Sequence, residues 1–138
     1  MADLDQIISR HSDKKGQLLP ILHDIQAEFG FIDNAMQGQV AQVLNLSRAE
    51  VHGVVSFYHD FRTSADLRPE VQVCGAEACQ ARGAGALMGV AQDAAGERVR
   101  IRTVYCLGLC SVGPAARIGD RLHARLDKAI LARLVEDA

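Results

Sequence analysis

No stretch of this 138-residue sequence approaches the eighteen or so consecutive apolar residues of a membrane helix, so no direct membrane insertion is expected. Nor is there an excess of charge of either sign: 15 basic residues face 17 acidic ones, a formal net charge of −2. Residues 1–68 carry 6 basic and 9 acidic side chains, and residues 69–138 carry 9 and 8. Neither part is a polycation, which leaves no electrostatic footprint for nucleic acid. The opening Met1-Ala2-Asp3-Leu4-Asp5 has no basic segment leading into an apolar run, so it does not read as a signal peptide. No glycine-rich nucleotide fingerprint follows a candidate strand, so nucleotide binding is not expected on this chain. Internal repeats, low-complexity segments and a catalytic constellation are also missing. What remains is a length suited to one domain or two small ones sharing a core, with 49% hydrophobic residues. The expectation is a soluble, cytoplasmic globular protein, ordered except at its ends.

The pattern changes once along the chain. Residues 3–60 read as four short amphipathic helices. The first covers residues 3–11. The second opens at Leu18-Leu19-Pro20, carries Leu22, Ile25, Ala27 and Phe29 on one face, and stops at Gly30. Asn34 with Gln37 forms a capping-box pattern for the third, whose apolar positions are Met36, Val40, Val43 and Leu44. Ser47 with Glu50 does the same for the fourth, carrying Val51, Val54, Val55 and Tyr58. Phe61 to Pro69 is polar and reads as a linker. Beyond it Glu70–Cys74 and Val99–Tyr105 alternate as strands do, around a helical segment at residues 78–95. Gly119-Asp120 sits between two short strands as a hairpin turn, and Asp127 caps a last helix. The fold class is α/β (α+β): an N-terminal helical bundle over residues 1–65, then the element order of a small thioredoxin-like α/β domain over residues 66–138.

All four cysteines fall within Val71–Pro114, as Cys74 and Cys79 (C-G-A-E-A-C) and Cys106 and Cys110 (C-L-G-L-C). Each pair follows the C-terminal end of a candidate strand. If those strands are parallel neighbours, the two loops meet at one sheet edge, where open α/β sheets place their ligands. Thiols in a reducing compartment bind metal more often than they form disulfides. Zinc takes four thiolates around one ion, usually from tighter C-x2-C knuckles. A [2Fe–2S] cluster takes two thiolates per iron, one pair from each loop. Charge does not separate these, because both leave a net −2. Gly75, Gly108 and Gly113 allow close backbone approach to sulfur, Cys79 sits near a helix start, and Leu107, Leu109 and Val112 exclude water. Spacing favours the cluster and leaves zinc and redox thiols open.

The segments V-C-G-A-E-A-C-Q-A-R-G-A and Y-C-L-G-L-C-S-V-G-P-A resemble the thioredoxin-like [2Fe–2S] ferredoxin family. So do L-P-I-L-H-D-I-Q-A-E-F-G-F-I, V-A-Q-V-L-N-L-S and V-H-G-V-V-S-F-Y-H-D-F in the helical half. The likeness runs from Leu18 to Leu126. It implies an electron-transfer subunit of an NAD-linked oxidoreductase, with Cys74 and Cys79 on one iron and Cys106 and Cys110 on the other. It further implies a flavin- and NAD-binding diaphorase subunit as partner. Within the family, the compact length and the wording of both cysteine motifs are most similar to the gamma subunit of molybdenum-containing, NAD-dependent formate dehydrogenase. That implies a larger molybdenum-containing catalytic subunit in the same complex. The equivalent subunits of complex I and of NAD-reducing hydrogenase are the alternatives. The interval between the cysteine pairs is shorter than in complex I subunits.

Five of the six aromatic residues, Phe29, Phe31, Phe57, Tyr58 and Phe61, lie in the helical half, as helix core or as a docking face. Tyr105 is expected to end a strand and cover the cysteine site. Arg98, Arg100 and Arg102 alternate as a solvated or partner-facing stripe. His52 and His59 pair with no third ligand and read as ordinary histidines. Residues 37–58 imitate a helix-turn-helix, which raises a zinc-bearing DNA-binding regulator as a reading of another class. Its second helix offers only Arg48 and His52 as basic groups, too few for the phosphate contacts that dominate such binding.

Overall fold

In the computed structural model, which describes residues 3–138, three of the four helices of the first half start where polar side chains cap them, and the second starts without one. Asp3 caps α1 (Leu4–Ser9), and α2 (Leu18–Phe29) stops at Gly30, whose φ of 83° lies in the left-handed region. α3 (Asn34–Leu44) and α4 (Arg48–Phe57) follow. At α4 the capping box forms as expected: the Ser47 hydroxyl accepts from the Glu50 N–H, and the Glu50 carboxylate accepts from the Ser47 N–H. The hydrogen bonds from the Ser47 backbone and hydroxyl hold the Glu50 carboxyl below its ordinary value, against a small opposing effect of burial.

At α3 the expectation is corrected by one residue. The cap is Asp33, whose extended backbone lets its carboxylate accept from the Met36 N–H at 2.8 Å. Asn34 is already helical. Gln37 is buried instead of capping, and donates to the Ile32 carbonyl at 3.1 Å. Val43, expected on the apolar face, is 55% exposed, because the buried stripe runs through Gln37, Val40 and Ala41.

Helices of 6 to 12 residues are marginal alone, so packing must hold them. The first core contains Leu4, Ile7, Ile8, Ile21, Leu22, Ile25, Ile32, Val40, Val51, Val55 and Phe61. Each fully buried aliphatic side chain contributes about 2 kcal/mol. Gln26 ties in the chain beyond α4, accepting from the Arg62 N–H and donating to the Asp60 carbonyl, both at 2.6 Å. His11 is buried between α1 and α2, where Nε2 meets Asp24 at 2.6 Å and Nδ1 meets the Lys14 ammonium at 3.1 Å. No periodic pattern announces that contact.

The chain divides into Met1–Asp66 and Leu67–Ala138, and the second unit has its own core. It runs β1 (Glu70–Cys74), α5 (Glu77–Ala81), α6 (Ala84–Ala95), β2 (Arg100–Val104), a 3₁₀ turn at Cys110–Val112, β3 (Ala116–Ile118), β4 (Arg121–His123) and α7 (Lys128–Glu136). The sheet order is β2-β1-β3-β4. β1 is parallel to β2 and antiparallel to β3, with Cys74 opposite Val104 and Val73 opposite Ala116. Val71 and Val73 pack with Leu87, Ala91 and Ala95 of α6 and with Leu131 and Val135 of α7.

Three expectations change here. The helical segment at residues 78–95 is two helices, because Gly83 takes a φ of 95° that ends one and starts the next. Tyr105 lies just beyond the end of β2 and stands 77% exposed, with its ring edge beside Gly75. The arginines do not form a solvated stripe. Arg98 donates to the carbonyls of Val135, Glu136 and Ala138 at 2.9, 3.1 and 2.7 Å, closing the C-terminal end of α7. Arg100 pairs with Glu70, and the Arg102 Nε lies 3.4 Å from the same carboxylate. Among the described residues no helix is long and apolar enough to cross a membrane.

Candidate metal centre

Parallel pairing of β1 with β2 brings the loops after both strands to one sheet edge. Cys74 is the last residue of β1, held by its N–H to the Ala115 carbonyl at 2.9 Å. Cys79 is the third residue of α5, where a free N–H array favours negative charge. Cys106 lies two residues beyond β2 with a φ of 101°, so the chain turns sharply there, and Cys110 opens the 3₁₀ turn. All four are free thiols.

The two pairs differ in environment. Cys74 and Cys79 are 1% and 2% exposed, packed with Ala84 and Ala115 under Leu107, Leu109 and Ala76. Cys106 and Cys110 are exposed, their sulfurs 3.5 Å apart, with the Gly108 N–H donating to the Cys106 sulfur at 3.3 Å.

The two loops also act on one another's thiols. Burial pushes the Cys74 thiol up, but N–H groups of Ala76, Cys106 and Leu107, together with the Cys79 thiol, outweigh it and hold Cys74 below the ordinary thiol value. Two of those donors come from the opposite loop. Cys79 is pushed up by burial and then by hydrogen bonding and charge at Cys74, against the Ala115 N–H. Cys110 is raised by the hydrogen bond and charge of Cys106, with a smaller contribution from Cys74 across the site. Charge at a neighbouring sulfur thus opposes ionising Cys79 and Cys110, while N–H groups at Cys74 favour its thiolate. A bound cationic core removes that conflict.

These residues fit a two-iron cluster. The sulfurs stand as two pairs, which is how a two-iron cluster takes its four thiolates. Backbone also approaches sulfur as closely as glycine allows. A Cβ at Gly113 would lie 2.9 Å from the Cys79 sulfur and 3.6 Å from its Cα. The sulfur turns about a single bond in a buried site, and the Cα is backbone. Gly113→Ala is therefore expected to displace Cys79 and yield protein with less than about half of the wild-type iron, while the helix signal in circular dichroism is kept. Full iron content in that variant would mean that the loop yields more easily than the geometry indicates.

The histidines raised from sequence both belong to the helical unit. His52 Nδ1 lies 3.2 Å from the Gln37 side-chain oxygen on the helical unit, and His59 follows α4 in the same unit.

The model of the thioredoxin-like [2Fe–2S] ferredoxin family matches residues 4–138. The chain belongs to that family. Its cofactor is a [2Fe–2S] cluster, which replaces the zinc and redox-thiol readings. This ferredoxin is 29% identical over 143 residues to an NADH-quinone oxidoreductase subunit of Rhizobium meliloti (strain 1021), covering 97% of this chain and 85% of that one. It is 26% identical over 141 residues to the NADP-reducing hydrogenase subunit HndA of Solidesulfovibrio fructosivorans, covering 96% and 82%. Among solved structures, an air-oxidized NAD+-reducing [NiFe]-hydrogenase superposes with a TM-score of 0.71 at 26% identity. That match covers 87% of this ferredoxin but 22% of the hydrogenase chain. Sequence reasoning missed the backbone donors at Ala76, Leu107 and Ala115, because an N–H group has no side-chain signature. The glycines beside them were the one readable sign.

Proposed function

We propose that this ferredoxin is the electron-transfer subunit of an NAD-linked oxidoreductase and contains no substrate site of its own. Cys74 and Cys79 hold one iron of the cluster, and Cys106 and Cys110 hold the other. The meeting of the two cysteine pairs at the edge of β1 and β2 carries this reading, and the names of the full-length relatives support the setting. When bound, the cluster supplies a one-electron site beside a flavin that exchanges two electrons with NAD. The chain's own part is to hold the sulfurs in two pairs, to shield one pair under Leu107 and Leu109, and to aim N–H groups at sulfur. Those donors favour the more negative state of the site. Flavin and NAD belong to a separate diaphorase subunit, and the assembly is cytoplasmic.

The parent complex we favour is a molybdenum-containing formate dehydrogenase, on the wording C-G-A-E-A-C and Y-C-L-G-L-C. The equivalent place in a complex I-like module or a hydrogenase is the second reading, favoured by the relatives found. A DNA-binding role has little support: the guanidinium of Arg48, at the start of α4, packs back on α3, where a Cβ at Gly38 would lie 3.0 Å from it.

The purified chain is expected to be reddish-brown, with about two irons and two acid-labile sulfides per chain, and to give a spin-half EPR signal on one-electron reduction. A colourless protein with one zinc would sink the reading. Affinity purification from the native host then separates the parents. A molybdenum subunit supports formate dehydrogenase, whereas a nickel subunit or membrane subunits point to the alternatives.

A further inference from the structure

We propose that Cys106 and Cys110 are also a reversible modification site: before the cluster is inserted, this pair closes into an intrachain disulfide that blocks insertion until it is reduced. The inference goes beyond electron transfer, and its blocking step rests on the ligand assignment just proposed.

Three observations carry it. The two sulfurs are 3.5 Å apart in a five-residue loop that turns back on itself at Cys106 (φ 101°) and Gly108 (φ 78°), so pairing needs little chain movement. Both residues are exposed, so a small oxidant reaches them. Cys74 and Cys79, at 1% and 2% exposure under Leu107, Leu109 and Ala115, are not reached without opening the loop. Access therefore separates two pairs that spacing alone makes look alike.

The oxidant class is a low-molecular-weight disulfide, such as glutathione disulfide. The Cys106 sulfur, held by the Gly108 N–H, attacks one sulfur of the oxidant as thiolate. The oxidant's S–S bond breaks, a mixed disulfide forms, and one glutathione thiolate leaves. The Cys110 thiolate then attacks the Cys106 sulfur. The Cys106–Cys110 bond forms, the mixed disulfide breaks, and the second glutathione leaves. Two protein thiols are oxidised, one glutathione disulfide is reduced to two thiols, and the protons released by the cysteines pass to the departing thiolates. A dithiol reductant reverses the sequence. The disulfide spares the exposed sulfurs from oxidation to sulfinic acid, which is irreversible for most proteins. It also makes cluster insertion dependent on reductant.

The test uses the full chain, stripped of iron with a chelator under reductant, desalted anaerobically and checked for helix content by circular dichroism. It is exposed to glutathione disulfide, quenched by alkylation at intervals and mapped by peptide mass spectrometry. The expected product is a Cys106–Cys110 disulfide, formed at least about tenfold faster than any product at Cys74 or Cys79. The disulfide form should take up no iron and sulfide until dithiothreitol is added. A Cys74–Cys79 disulfide appearing first would overturn the inference. So would stable single glutathione adducts, or equal rates at all four thiols, which is also what loss of the fold produces. Absence of the disulfide in a chain that binds two irons overturns this inference alone. Uptake of two irons by the disulfide form overturns the block and, with it, the ligand assignment.

Discussion

Serine at Cys74 or Cys79 should yield a folded chain almost without iron. A serine hydroxyl is a far weaker acid than a thiol, and at these two positions it would have to ionise out of water. Left neutral, it is a buried polar group that has lost its role, at a cost of about 1–3 kcal/mol. Cys106→Ser and Cys110→Ser are expected to be milder. Both positions are exposed, so water reaches the vacant ligand position, and a distorted, labile cluster can persist. His52→Ala and His59→Ala should leave the visible and EPR spectra unchanged, since His52 bonds to Gln37 and neither is assigned as a ligand. Iron content and EPR lineshape of the six variants decide the matter. A histidine variant that shifts the spectrum as a ligand change does would refute the four-cysteine assignment, and equal losses at all four cysteines would remove the difference between a buried and an exposed pair.

The second large effect is expected in assembly. A chain beginning at Leu67 keeps all four cysteines and its own core, so it should retain cluster, although with reduced solubility. It should fail to join the diaphorase subunit. The helical unit has no ligand cysteine but presents Phe57 at 73% exposure, with Tyr58 edge-on to it at 5.1 Å and Phe61 6.2 Å from Tyr58. Phe61 belongs to the core, whereas Phe57 stands out from it at the exposed end of this aromatic row, and an exposed ring on a packed base is what an interface anchor requires. Phe57→Ala in the full chain should therefore weaken binding at least about tenfold while leaving the melting temperature within a degree or two. Co-expression with affinity pull-down reads both. Undiminished binding by the shortened chain would place the interface on the cluster domain instead.

The success of the sequence reading is uneven for a physical reason. Caps and stops were legible, because they are local. Ser47 with Glu50, Gly30 and Asp127 each act within one turn of chain. The cap of α3 was misplaced by one residue, since Asp33 and Asn34 are both good caps and backbone geometry chooses between them. The arginines were misread because alternation shows which face a side chain takes, not what stands opposite. Here Glu70 answers Arg100 and Arg102, and the end of α7 answers Arg98, 37 to 40 residues away. His11 was invisible for the same reason.

The cysteine spacing by itself determined that two thiol pairs exist and that a metal centre is their natural use, because ligand type and local spacing are properties of the chain. The motif wording determined the family. Only the tertiary structure decided that one pair is buried and the other exposed. It also decided that Cys106 and Leu107 direct N–H groups to the sulfur of Cys74, and that Gly113 leaves no room beside Cys79. Those facts depend on β2 pairing in parallel beside β1 and on the loop before β3 folding back over the same edge. They are contacts between residues far apart in the chain, and no local pattern encodes them.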